Sequence, residues 1–326
     1  MIPVGPTGRI TINIKGTDGL ERGMVPKTLW TIPLFLLLTQ ASCGGERGAP
    51  SGDARPVVVA SIYPIGDLAG LMAGDLVRVE VLLPAGASPA TFDVTPKQLR
   101  DLQDGNLFLM IGGGLDEWVA RLPERAGHQT TVVRLSDGIP LLAGGGHEGS
   151  GNPHVWLDPI LVRDHLLPRM EEALAGVAPA GAGQIHLRTS QLADSLTELD
   201  GEIRAALAPL EHRAFLSTHA AWSYYAARYG LEEVGVIHAH PGQDPSSREM
   251  VQLLEEARDH QIDCLFTEPQ LGEVAARALS TELSLPTCML DPLGGAGVPE
   301  RDGYFQLLRF NTRQFVRGLQ KGTGSG

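Results

Sequence analysis

Between residues 184 and 207 apolar side chains recur at helical intervals, at Ile185, Leu192, Leu196, Leu199, Ile203 and Leu207. This one long amphipathic helix divides the chain into two series of the same kind. Ahead of it, β-branched and apolar runs at 56–63, 77–83, 106–111 and 131–135 alternate with helical stretches at 67–73, 95–103 and 115–122, and a helix over 159–175 follows. Behind it, runs at 214–217, 231–237, 262–267 and 286–290 alternate with helices at 220–229, 246–260, 272–283 and 304–319. Short buried strands separated by helices make parallel sheets. The pattern therefore predicts an α/β fold of two similar lobes, each a parallel sheet flanked by helices, joined by one long rigid helix. The expected boundaries are 56–180 for the first lobe, 181–210 for the joining helix and 211–326 for the second lobe.

A chain of 326 residues has the length for two domains, and 43% hydrophobic residues against 20% charged describes a globular protein. A net charge of −12 leaves no basic stripe to neutralise phosphates, which argues against nucleic acid as a partner. Residues 1–43 read as an export signal. The apolar run 28–38 follows Lys27, is too short for a bilayer span and suits a signal-peptide core. Met24 makes a more ordinary start for it than Met1. The run ends in Gln40-Ala41-Ser42-Cys43-Gly44-Gly45, which resembles a bacterial lipoprotein signal with Cys43 lipidated, although Gln40 stands where leucine is usual. Simple cleavage and secretion is the alternative. Residues 44–55, rich in Gly, Ala and Pro, read as a flexible tether. Either way the chain is exported, to the periplasm or to a lipid anchorage on the cell envelope. Of the other two cysteines, Cys264 and Cys288 each lie in a strand-like run; they either pair across neighbouring strands or stand as two small buried hydrophobes.

Ligands of open parallel sheets bind beyond the carboxyl ends of strands, and four polar residues fall at such places. His154 opens the stretch Asn152-Pro153-His154-Val155-Trp156-Leu157-Asp158-Pro159, where Asp158 is a good N-cap and Pro159 takes the first helical position. His219 follows the run AFLS, Glu268 follows CLFT and Asp291 follows TCML. Two imidazoles and a carboxylate suit Zn²⁺, and accept Mn²⁺ or Fe²⁺ as well. Each residue also has an ordinary structural role open to it: His154 as a satisfied buried histidine, His219 as a helix cap, Asp291 as a turn cap. Glu268 is expected to bond backbone amides at the next helix start rather than to hold a metal. His238 and His240 alternate in a strand but are cut off by Pro241-Gly242, so ligation there is a minor reading. His147, in the glycine-rich stretch 144–151, is expected to face solvent, or to catch a metal in transit.

The segments NPHVWLDP, FLSTHAAWSYYAARYGL, LFTEPQ and LDPLG, in that order, are together similar to the metal-binding solute receptors of bacterial ABC importers, the zinc and manganese group. The resemblance runs from about residue 56 to the C-terminus. It implies a single metal held between the lobes, delivery to an ABC permease in the cytoplasmic membrane, and no chemistry on the ligand. By position it implies His154, His219 and Asp291 as ligands, and a histidine at the second of these resembles the zinc members more than the manganese members. The chain is expected to be a monomer. One departure stands out: the family's first ligand is the histidine of a Gly-x-x-Pro-His loop, and here that loop reads Gly86-Ala87-Ser88-Pro89-Ala90. Ala90 cannot coordinate. Water, His147 or Asp93 could take the place, or the chain has given up tight capture and serves as an accessory or adhesion protein. A secreted metallohydrolase with Glu268 as base is a third reading, weakened by the absence of a His-Glu-x-x-His helix or a nucleophile elbow.

Overall fold

The computed structural model describes residues 53–96, 98, 105–117, 130–144, 151–238, 243–272 and 274–320. Calls on the export signal, Cys43, the tether through residue 52, His147, His240 and most of the helices at 95–103 and 115–122 lie outside these residues.

Strands β1 (Val57–Ala60), β2 (Arg78–Val81), β3 (Leu107–Met110) and β4 (Thr131–Arg134) form one all-parallel sheet in the order β2-β1-β3-β4. Strands β5 (Ala214–Ser217), β6 (Glu232–Val236), β7 (Leu265–Thr267) and β8 (Thr287–Met289) repeat it as β6-β5-β7-β8. The central strands β1 and β3 are buried at every residue, as unbroken apolar runs between two helical layers must be, whereas β2 and β4 are partly exposed. In both sheets the strand order reverses at the first strand, so each has a switch point, between β1 and β3 and between β5 and β7.

Helix α1 (Tyr63–Ala73) starts earlier than its expected 67, because Pro64 falls in the first turn, where its missing N–H costs nothing. At Asp158 the expected cap is present: its Oδ1 accepts from Ile160 N at 2.8 Å and Leu161 N at 3.2 Å, and Pro159 follows at the first position. The same carboxylate accepts from Arg228, with Nη2–Oδ2 at 2.7 Å, tying the capped turn to the other half of the chain. After Pro159–Leu161 the backbone takes a π turn over Val162–Leu166 and then continues as α2 (Leu167–Val177). The π turn sits just before Pro168, which has no N–H to give a regular helical ladder.

Helix α3 (Ala182–Leu207) buries all six apolar residues of the sequence stripe. It packs against α1 and α2 on one side of the chain and against α7 (Tyr304–Leu319) on the other. One apolar core therefore runs through it, from Val58 and Leu109 to Phe266 and Phe315. The second half is completed by α4 (Ser223–Tyr229), α5 (Ser247–Asp259), which opens on a Ser246/Glu249 capping box, and α6 (Val274–Leu283).

Cys264 and Cys288 are joined as a disulfide that closes 24 residues around β7, α6 and β8, and both also belong to the apolar core. Replacing both by serine is expected to cost about 2–4 kcal/mol of stability, measured as a shift of the urea midpoint.

Candidate metal centre

His154 opens a single 3₁₀ turn, Val155–Leu157, with its ring buried. Its setting is made by Asn152, which is fully buried. Asn152 Oδ1 accepts from the His154 backbone N at 3.0 Å, and Nδ2 donates to the Ala220 carbonyl at 2.7 Å. Those two bonds fix which end of the amide is oxygen. The His154 Nδ1, 2.8 Å from the same Oδ1, must therefore carry the proton, leaving a lone pair on Nε2. The loop is clamped from the other side of the chain: Tyr224 Oη donates to the Asn152 carbonyl at 2.8 Å, Trp156 Nε1 to the Pro292 carbonyl at 2.8 Å, and Tyr304 Oη to the Trp156 carbonyl at 2.7 Å.

His219 follows β5, beside the switch point of the second sheet. Thr218 Oγ1 anchors the corner by donating to the Phe266 carbonyl at 3.0 Å. Glu268, at the end of β7, is buried, with Oε2 2.7 Å from His219 Nδ1 and Oε1 accepting from Trp222 Nε1 at 3.1 Å. The expectation that Glu268 would bond backbone amides is thus corrected: its carboxylate accepts one hydrogen bond, from Trp222, and lies in close charge contact with His219. Burial would lower the His219 pKa, but the Glu268 carboxylate and, farther off, Glu233 outweigh it and raise the group. His154 is pushed well below the ordinary imidazole value by burial and by His219, so it stays neutral.

The outcome is that Nε2 of His154 and Nε2 of His219 face each other at 3.3 Å. Around them is a cavity of about 70 Å³ whose wall includes Ala90 and Pro153 from the first half and His238, Gln270 and Leu293 from the second. Sites for organic ligands occupy roughly 300–1,000 Å³, so this one has the size for an ion and a little water.

Asp291 is placed differently. Its carboxylate is buried and fully engaged: Oδ1 accepts from Gln270 Nε2 at 2.7 Å and from Leu293 N and Gly294 N at 3.0 Å each, while Oδ2 pairs with Arg301 at 2.9 Å. Both the turn cap and an ion pair are built on it. Among the described residues no three His, Cys, Asp or Glu side chains are already gathered at ligating distance. Asp93 is exposed and does not line the cavity. His238 lines it as well.

Residues that pattern reading passed over include Asn152, Trp222 and Arg301. Asparagine two residues before a histidine is a signal for a local side-chain-to-backbone turn; Arg301 had none. Asn152→Ala is expected to leave the His154 ring without its orienting partner. Metal affinity should then fall by about 10–100-fold, as when such orienting groups are removed elsewhere, measured by competition with a chromophoric chelator.

Residues 58–318 match the family described as zinc-uptake complex component A, periplasmic. The chain belongs to this family. It is 27% identical over 296 residues to the high-affinity zinc uptake system protein ZnuA of Bacillus subtilis, covering 85% of this chain and 92% of that protein. It is 26% identical over 273 residues to the zinc-binding lipoprotein AdcA of Streptococcus pneumoniae, covering 80% of this chain but 53% of AdcA, so it spans about half of that relative. A crystal structure of ZnuA superposes with a TM-score of 0.74 at 26% identity over 82% of this chain and all of that one. Members of the zinc-uptake component A family are solute-binding proteins, not enzymes, which sets aside the metallohydrolase. The two parallel-sheet lobes and the long helix are the family fold.

Proposed function

We propose that this protein is an extracytoplasmic receptor that captures Zn²⁺ between its lobes and hands it to an ABC permease. One observation carries the reading. Two Zn–N bonds of about 2.0–2.1 Å at a tetrahedral angle put their nitrogens about 3.3–3.4 Å apart. The two imidazole Nε2 atoms are 3.3 Å apart; His154 turns a proton-bearing Nδ1 away to Asn152, and His219 Nδ1 lies 2.7 Å from the Glu268 carboxylate. Two lone pairs held face to face repel unless a cation or a shared proton lies at their meeting point. Imidazole pairs favour zinc over manganese, so Mn²⁺ is the weaker cargo. His154 and His219 are the ligands in this reading. Asp291, which the resemblance implies as a further ligand, is held by Arg301 and reaches the ion only if it exchanges that guanidinium for it. Export through the signal at 1–43, with lipid on Cys43, places the receptor at the membrane face where the permease opens.

A second reading keeps the fold and drops tight capture. Ala90 offers no donor at the cavity wall, and Asp291 is engaged by Arg301. Equilibrium dialysis of metal-stripped protein against micromolar Zn²⁺ separates the two. The receptor retains one equivalent; a degenerate member with an intact circular dichroism spectrum retains none. In the receptor, Ala90→His is expected to raise affinity tenfold or more, read by the same dialysis at lower free metal.

A further inference from the structure

His238 follows β6, and its backbone N donates to the Thr218 carbonyl at 2.8 Å, so it is pinned beside the residue that precedes His219. Its ring is buried, 8% exposed, and it shares the wall of the cavity with His154, His219 and Ala90. Nδ1 lies 3.0 Å from the Gln243 carbonyl oxygen. A carbonyl only accepts, so Nδ1 carries the proton and Nε2 keeps its lone pair. Among the described residues that Nε2 is buried with no partner. Buried polar atoms are nearly always bonded, and an orphan of this kind asks for an explanation.

We infer that His238 is the third metal ligand of this chain, supplying from the second lobe the imidazole that Ala90 fails to supply from the first. The inference rests on the receptor reading and names a donor that the family resemblance does not. His154 and His238 are prepared in the same way: each sets Nδ1 on an oxygen, the Asn152 amide and the Gln243 carbonyl, which leaves Nε2 bare, while His219 Nδ1 lies 2.7 Å from the Glu268 carboxylate. This is the arrangement in which metal-binding histidines are held and made more basic. Three neutral imidazoles form a complete protein set for Zn²⁺ with a fourth position for water or a carboxylate. The chain has therefore moved a ligand from one lobe to the other, and Asp291 can stay with Arg301. Since no three such side chains are gathered among the described residues, this reading requires the His238 ring to close on the ion.

The test loads the full metal-stripped chain with one equivalent of Zn²⁺. Zinc-edge X-ray absorption counts imidazoles, and chelator competition gives the affinity, for wild type and His238→Ala. Three imidazoles in wild type, two in the variant, and a tenfold or greater loss of affinity with an unchanged far-UV spectrum are expected. Two imidazoles in wild type, or a variant with the wild-type count and affinity, overturns the assignment of His238 and leaves the receptor reading standing. The wild-type count decides the matter even where the variant does not fold. A wild type that retains no zinc overturns both.

Discussion

His219→Ala is expected to weaken Zn²⁺ binding by about 100-fold or more. Four-ligand structural zinc sites total roughly 10–16 kcal/mol in peptides, so one ligand carries on the order of 3 kcal/mol, and water replaces only part of it. His219 stands at the centre of the arrangement: its Nε2 meets His154, and its Nδ1 is 2.7 Å from Glu268. Its removal also leaves the buried Glu268 carboxylate with Trp222 Nε1 as its remaining neighbour among these contacts. The variant should therefore lose stability as well as affinity, since an uncompensated buried carboxylate is costly. Titration with zinc and a melting curve read the two losses separately. Unchanged affinity with a lowered melting temperature would assign His219 a structural role alone.

Arg301→Met is expected to destabilise the metal-free protein by about 3–5 kcal/mol, the cost of leaving a buried charge without its partner. Asp291 is 2% exposed, and Arg301 is the cation paired with it, with its guanidinium also stacked 5.0 Å from the Phe310 ring centroid. If Asp291 can reach the ion by exchanging partners, Zn²⁺ takes over the role of the missing guanidinium. The variant should then gain more thermal stability from saturating zinc than wild type does. An equal gain in both proteins would show that Asp291 stays outside the site, with the ion held by histidines.

Much of the fold was readable because its signals are local. The stripe on α3, the run AFLS of β5 and the cap at Asp158 each need only neighbouring residues, and each was found where expected. Helix α1 was shortened because Pro64 reads as a strand stop until the first turn of a helix is recognised around it. The site was readable in part. His154 and His219 announce themselves at loop-to-helix corners, and the structure sets them face to face. Three features depended on contacts across the fold. Arg301 lies ten residues beyond Asp291, past a left-handed Gly294 that returns the loop. Asn152 reaches the second half through Ala220. The His238 ring is turned by a carbonyl at Gln243, on the far side of the proline-glycine break that seemed to dismiss it. No periodicity encodes such pairings, since the first and third are set by loop paths within the second lobe and the Asn152 bond by where the two lobes meet.

The central claim is that a single divalent cation sits where two imidazole Nε2 atoms converge. Anomalous diffraction at the zinc absorption edge, from crystals of the full chain grown with Zn²⁺, tests it most directly. The account predicts one strong peak in the cavity beside Ala90, about 2.0–2.1 Å from Nε2 of both His154 and His219. A peak elsewhere on the molecule, or a cavity with no anomalous density in protein saturated with zinc, would contradict it.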